Sequence, residues 1–287
     1  MAETTRTPGS EKEHIPETLV LRPSKGWTAL NLGDLWRYRE LAFFLTWRDV
    51  KVRYQQTILG ASWAVIQPLV QMVLFNFLFG QLADISTGDI PRPIFTFSAL
   101  LPWNLFSKAL TDASRSLVTN RNMITKVYFP RLVVPLASIL SGVVDFAIAF
   151  VILIGMMVYY QVSVPASIWA VPVFLLLALM TALGIGLWFS AWNLHYRDVG
   201  YFIPFLTQFW MLATPIAYPM SEIPANLQTL YSLNPMVGVV EGFRWALLGT
   251  TTISTEMLTL SVGVGLICLI TGIFYFRRME RTFADMV

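Results

Sequence analysis

Residues 194–219 read LHYRDVGYFIPFLTQFWMLATPIAYP. His195, Tyr196, Arg197 and Asp198 open the stretch, and an apolar run follows that carries Gln208 and is punctuated by Pro204, Pro215 and Pro219. Composition says what solvent such a run meets. Apolar residues make up 55% of the 287-residue chain and charged residues only 13%, where a soluble domain carries about 25%. The chain lacks the polar side chains to coat a water-soluble body, so part of its solvent is lipid. The charged quartet then reads as a tight turn between two membrane segments.

Working outward from that turn, about 20 predominantly apolar residues are needed to cross the hydrocarbon layer as a helix, and six stretches qualify. They are residues 61–82, 94–111, 133–159, 168–194, 199–218 and 254–276. Backbone groups in lipid must be satisfied within their own segment, so each is read as a helix. The second is the most interrupted, by Pro102, Asn104, Lys108 and Asp112; Lys108 and Asp112 lie four apart and are expected to pair. Lys and Arg fall on alternate connections: thirteen lie in 31–60, 112–132, 195–198 and beyond 276, against Arg92 and Arg244 alone on the opposite side. By the positive-inside rule both termini are cytoplasmic.

The first 30 residues are polar with scattered prolines and lack the apolar core of a signal peptide; they read as a flexible cytoplasmic tail. Residues 31–60 are different. Trp36, Phe43, Trp47, Val50 and Tyr54 recur at helical spacing while Arg39, Asp49 and Arg53 fall opposite, the pattern of an amphipathic helix lying in the membrane surface. Packing on the protein's own cytoplasmic face is a compatible reading. The expected fold class is all-α: a polytopic membrane protein with six transmembrane helices within 61–276, an N-terminal interfacial helix and a cytoplasmic C-terminus over 277–287. Between spans five and six, the apolar but proline-broken stretch 214–251 reads as two short helices dipping back into the outer leaflet, joined near Asn234-Pro235.

Few groups are placed for covalent chemistry. There is no Gly-x-Ser-x-Gly elbow, no His-Glu-x-x-His and no phosphate-cradling Gly-x-x-x-x-Gly-Lys-Ser/Thr loop. Cys268 is the sole cysteine, and His14 and His195 are too far apart for a metal cluster. Asp145 lies deep in the third span, either as a proton site or as a structural partner of a neighbouring helix. A polar seam stands out instead. Trp63, Gln67 and Gln71 share a face of the first span, and Tyr201, Phe205 and Gln208 share one of the fifth. An amide in hydrocarbon must face protein or water, so the seam is either interhelical glue or the lining of a pathway. Aromatic rings with amides suit sugars, whose rings stack and whose hydroxyls hydrogen-bond.

RYQQTILGASWAVIQPL, NRNMITKVYFPRLVVPL, HYRDVGYFIPFLTQFWMLATPIAYP and YSLNPMVGVVEGFRWALLG, in that order and spacing, resemble the membrane-spanning permease subunits of bacterial ABC exporters of cell-surface polysaccharide. This is the type-2 permease group that includes O-antigen, capsule and teichoic-acid exporters. The resemblance covers about residues 31–285. It implies a homodimer in the bacterial inner membrane, bound to two copies of a separate ATPase subunit that carries ATP and Mg, with no cofactor in this chain and no nucleic-acid partner. It implies a coupling helix at about 120–131, with Asn120, Arg121, Lys126, Tyr128 and Arg131 meeting the ATPase. The first and fifth spans would line the polymer channel, and the pair at about 222–248, with Pro224, Tyr231, Asn234 and Pro235, would gate it. The cargo implied is a lipid-linked polysaccharide, whose diphosphate, or else anionic lipid headgroups, would meet Arg37, Arg39, Arg48, Lys51 and Arg53. A small-drug exporter of the same plan, or a polytopic enzyme acting on lipid-linked sugars through Asp145 or His195, is the alternative.

Overall fold

The computed structural model describes residues 32–55, 57, 60–88, 90–249, 254–280 and 283. The expected tail over 1–30 lies outside them. Among the described residues every regular element is helical. The surface segment is α1 (Leu32–Arg37) and α2 (Arg39–Tyr54). α3 (Trp63–Phe75) widens into a π-helix over Asn76–Leu82, so 63–82 is one apolar segment. α4 (Arg92–Thr119) is followed by the short α5 (Arg121–Lys126), then by α6 (Val133–Tyr159) and α7 (Val171–His195). α8 (Val199–Leu212), α9 (Ala225–Ser232), α10 (Pro235–Leu248) and α11 (Thr255–Glu280) complete the chain.

Among the described residues four segments, 63–82, 133–159, 166–195 and 255–280, are long and apolar enough to cross a membrane. The chain is thus an all-helical, multi-pass membrane protein. α4 fails the apolar criterion for a physical reason. At 28 residues it is about 42 Å long, but it stands in the middle of the molecule, packed by α3, α6, α7, α8 and α10. Ile94, Phe97, Leu100, Phe106, Leu110 and Leu117 are sealed from solvent. A helix surrounded by helices can carry Asn104, Lys108 and Asp112 because they face protein instead of lipid.

α8 ends at Leu212, six residues short of the expected span end. Its 14 residues reach about 21 Å, less than the hydrocarbon thickness. Pro215 and Pro219 prevent the helix from continuing, and the chain turns back through Ala213–Pro219 to α9 and α10. These two helices meet at Leu233-Asn234, as the sequence suggests. Elsewhere, α7 and α11 approach through Gly184 and Gly272: a Cβ on Gly272 would fall 2.1 Å from the Gly184 carbonyl oxygen.

The two faces of α2 differ from the sequence reading. Leu45 and Val50 are buried, while Phe43, Phe44 and Trp47, together with Trp36 of α1, are exposed. Val50 and Tyr54 therefore leave the aromatic stripe and join the inward face, which packs on α6. Polar groups at helical spacing make that seam. Thr46 Oγ1 donates to the Ala137 carbonyl at 3.3 Å, Ser138 Oγ to Asp49 at 3.4 Å, and Arg53 Nη2 to Ser141 Oγ at 3.0 Å. The aromatic face is left pointing outward, the arrangement of a helix at a lipid boundary.

Candidate functional site

A groove of about 790 Å3 runs between α3, α4, α6 and α8. One wall is Trp63, Gln67 and Gln71 of α3, and the other includes Gln208 and Met211 of α8. Helical spacing puts the α3 residues on one face. The Gln71 side-chain oxygen accepts from Asn104 Nδ2 at 3.0 Å, so this amide does bridge helices. Gln67 and Gln208 are exposed on the groove walls. Tyr201 and Phe205 do not join them. Phe205 is exposed and packs on Phe209, its ring centroid 4.4 Å away, while Tyr201 lines a separate pocket at the head of α8.

Charge closes one end of the groove. Arg53 reaches from α2 to Asp145 of α6 at 2.8 Å and Asp112 of α4 at 3.2 Å. Lys108 pairs with Asp145 at 3.2 Å, not with Asp112 as its spacing suggests. Asp145, facing α2 and α4 at once, is the better acceptor because its carboxylate serves both cations. The Tyr54 hydroxyl also donates to Asp145. Burial, with that carboxylate beside it, pushes the Tyr54 phenol up to about 12. Two cations and two carboxylates balance, so the cluster fastens α2 to the bundle without a surplus charge.

The other predicted basic residues divide. Arg37, Arg39 and Lys51 are exposed, with the Arg39 guanidinium 5.3 Å from the Trp36 ring centre. Arg48 bonds Asp49 at 2.7 Å and Asn120 at 2.8 Å, tying α2 to the corner between α4 and α5. That corner holds the other candidates. Arg121 opens α5 and Lys126 closes it, Tyr128 is exposed, and Arg131 donates to the Glu280 carbonyl at 2.6 Å.

At the opposite end Asn234 joins the end of α8 to the start of α10. Its oxygen accepts from Trp210 Nε1 at 2.9 Å and caps α10 at Met236, while its nitrogen donates to Thr214 at 3.0 Å. Pro224 and Pro235 start α9 and α10, where a missing N–H costs nothing; Tyr231 lies in the last turn of α9. Sequence reasoning placed Arg244 on an outer loop and missed its role. Its side chain is wholly buried. It donates to the Pro215 carbonyl at 2.7 Å, the Ile216 carbonyl at 2.6 Å and Glu241 at 2.8 Å, and lies 3.6 Å over the Phe95 ring. The signal was present: an i,i+3 Glu–Arg pair inside the apolar run VVEGFRWALL.

Among the described residues no group of three His, Cys, Asp or Glu is placed to hold a metal. A groove lined by amides and by the indoles of Trp63 and Trp103, closed at one end by a neutralised ion cluster, offers reversible contacts. Residues 40–248 match the ABC-2 type transporter family. The chain belongs to that family. An O-antigen export system permease protein of Klebsiella pneumoniae is 27% identical over 259 residues, covering 90% of this permease and 97% of the relative. One from Myxococcus xanthus is 28% identical, covering 88% and 98%. A polysialic acid transport protein of Escherichia coli is 24% identical over 72% of this permease and 80% of its own length. ABC-2 permeases lack an ATPase domain, which implies a separate nucleotide-binding partner and agrees with the missing phosphate loop.

Proposed function

We propose that this permease is the membrane subunit of an ATP-driven exporter that moves a lipid-linked polysaccharide, O-antigen-like, from the cytoplasm to the outer face of the bacterial inner membrane. The observation that carries this reading is the match to O-antigen permeases over nearly the full length of both chains. The groove supports it chemically. Glycan rings stack on Trp63 while Gln67 and Gln208 exchange hydrogen bonds with hydroxyls, each contact weak enough to release a moving polymer.

Two copies of the chain, six spans in each and both termini cytoplasmic, form the channel, and two ATPase subunits bind below. α3 supports this assembly: only 11% of its membrane window is buried, leaving Val70, Val73, Leu74 and Phe77 uncovered. α8 leaves Tyr201, Phe205 and Phe209 uncovered likewise. Facing copies bring these surfaces together and give Tyr201 and Phe205 a place on the polymer path. ATP-driven closure of the ATPase pair pushes α5 with Asn120, Arg121, Lys126, Tyr128 and Arg131, and rocks the two halves apart. α9 and α10 dip into the outer leaflet and gate the far mouth at Pro224, Tyr231, Asn234 and Pro235. Arg37, Arg39 and Lys51 meet headgroups at the inner surface.

A deletion strain should lose surface glycan while lipid-linked polymer accumulates inside, with drug tolerance unchanged. Replacing Tyr201 and Phe205 together by alanine should lower surface polymer at normal permease levels. Export restored by the ATPase gene alone, or a deletion that alters only drug tolerance, would overturn the reading.

A further inference from the structure

α5 has six residues, too few for a helix to hold itself in water, so its position is set by what it is tied to. At its start, Arg48 of α2 donates to Asn120, the residue before α5, at 2.8 Å. On its far side the chain runs through Val127, Tyr128, Phe129 and Pro130 without helical structure before α6 begins at Val133. Val127 is extended and Tyr128 is exposed. A non-helical link of this kind absorbs a push by changing its backbone angles.

The end of α11 bridges this link. The Arg131 N–H donates to the Glu280 carboxylate at 3.1 Å, and the Arg131 guanidinium donates to the Glu280 carbonyl at 2.6 Å. The pair is reciprocal. It sets a carboxylate beside the start of α6 and a guanidinium at the end of α11, the sign that each helix dipole favours. Arg131 also lies 5.7 Å from the centre of the Phe283 ring, which is wholly buried and meets Phe276 edge-on at 5.4 Å. Ile124, the buried residue of α5, shares one apolar cluster with Phe129, Leu132, Phe276 and Phe283. α11 is in turn locked to α7 through Gly184 and Gly272. The family resemblance counts Arg131 among the residues that meet the ATPase, yet its side chain is engaged within this chain.

We propose that Arg131 and Glu280 are positioning residues for energy coupling. They brace the α5 segment against the end of α11, so that a push on α5 moves α6 and α11 together instead of bending the link at 127–130. This rests on the reading of α5 as the ATPase contact, and it extends that reading by giving the push a path into α11.

The test uses inverted inner-membrane vesicles that hold the full permease with its ATPase subunit, and reads ATP-dependent protection of glycan from an added glycosidase. Glu280→Ala removes the acceptor of the Arg131 N–H and should lower that rate roughly two- to thirtyfold, with the KM for ATP unchanged and the ATPase still bound. Glu280→Gln keeps an oxygen at that N–H and should export as wild type does. In a Cys268→Ala background, Arg131→Cys with Glu280→Cys should be as slow as Glu280→Ala until a short bismethanethiosulfonate ties the two thiols. Export should then recover, and reductant should reverse the recovery. A brace is restored by any tie, whereas a direct ATPase contact is not. Should Glu280→Ala fail to fold, the cysteine pair carries the test alone.

Unchanged export by Glu280→Ala, failure of Glu280→Gln, or a tied pair as slow as the untied one would overturn the proposal. So would release of the ATPase subunit by folded Glu280→Ala, because the pair would then belong to the docking surface. Cross-linking yield is also measured on the permease purified without its ATPase. Low yield would overturn the brace itself, whereas high yield beside a wild type that exports nothing would overturn the export reading on which it rests.

Discussion

Replacing Arg244 by methionine removes a buried side chain that holds the proline-broken return after α8. Arg244 is wholly buried and Glu241 is 3% exposed. Breaking a buried pair by removing one partner costs about 3–5 kcal/mol, because the remaining charge is left uncompensated. The Pro215 and Ile216 carbonyls, 2.7 and 2.6 Å from the guanidinium, lose their donor as well, at about 1–3 kcal/mol for each buried group left unsatisfied. Against a total stability of about 5–15 kcal/mol, the single variant should be poorly stable. Adding Glu241→Leu removes the stranded carboxylate and should recover the pair's share while leaving the carbonyl share lost. The assay is equilibrium unfolding of the purified permease in mixed micelles by SDS titration, followed by far-UV circular dichroism. A single variant weakened by less than about 1 kcal/mol, or a double variant no more stable than the single, would refute the assignment of Arg244 as the clasp of this segment.

Asp145→Asn should loosen α2, because Arg53, Lys108 and Tyr54 all converge on that carboxylate; Val50→Cys in a Cys268→Ala background, buried in the native packing, should become reactive to maleimide. Gly184→Ala places a Cβ 2.5 Å from the Cys268 main chain and should cost about 1–3 kcal/mol by the same SDS titration. Gly155→Ala, with open space around its Cβ, should cost nothing. Replacing Gln67 and Gln208 with leucine should lower glycan export at unchanged permease abundance, measured by surface immunolabelling; full export would remove the groove from the polymer path.

The sequence was most legible where helices face lipid. Runs 61–82, 133–159, 168–194 and 254–276 differ by a few residues from the helices observed, because a lipid-facing helix must be apolar along its length. Legibility failed where a helix is solvated by other helices. The apolar pattern marks only 94–111 for α4, although the helix runs through Arg92–Thr119, since Lys108 and Asp112 interrupt that pattern. The faces of α2 were mixed for a related reason. Its amphipathic pattern separates aromatic from polar residues, but in a membrane protein the polar face can be the buried one. Arg53 therefore turns inward to Asp112 and Asp145, which no spacing rule on α2 alone could reveal. α8 was drawn too long because apolar character continues through Ala213–Tyr218, while the backbone stops being helical before Pro215. In the candidate seam, Trp63, Gln67, Gln71 and Gln208 came together, but Tyr201 and Phe205 lie outside the single-chain groove.

The distribution of burial explains which helices can move. α4 buries nearly every side chain from Ile94 to Phe106, and α10 nearly every one from Pro235 to Leu248. By contrast, α8 buries Ile203 and Thr207, and α3 buries Pro68 and Met72. Exposing a large apolar side chain costs about 1.5–3 kcal/mol, so displacing α4 would cost more than the molecule's whole stability, whereas shifting α3 or α8 uncovers little. The specific ties on α8 are few and lie at its ends: Arg115 on Gly200 at one, Asn234 on Trp210 and Thr214 at the other. A helix fastened at both ends and lightly packed between them responds to a push on either fastening. Arg115 lies six residues before the start of α5, close in the chain to the segment proposed to meet the ATPase. The two groove walls are therefore the elements that cost least to displace, and α4 is the one that costs most.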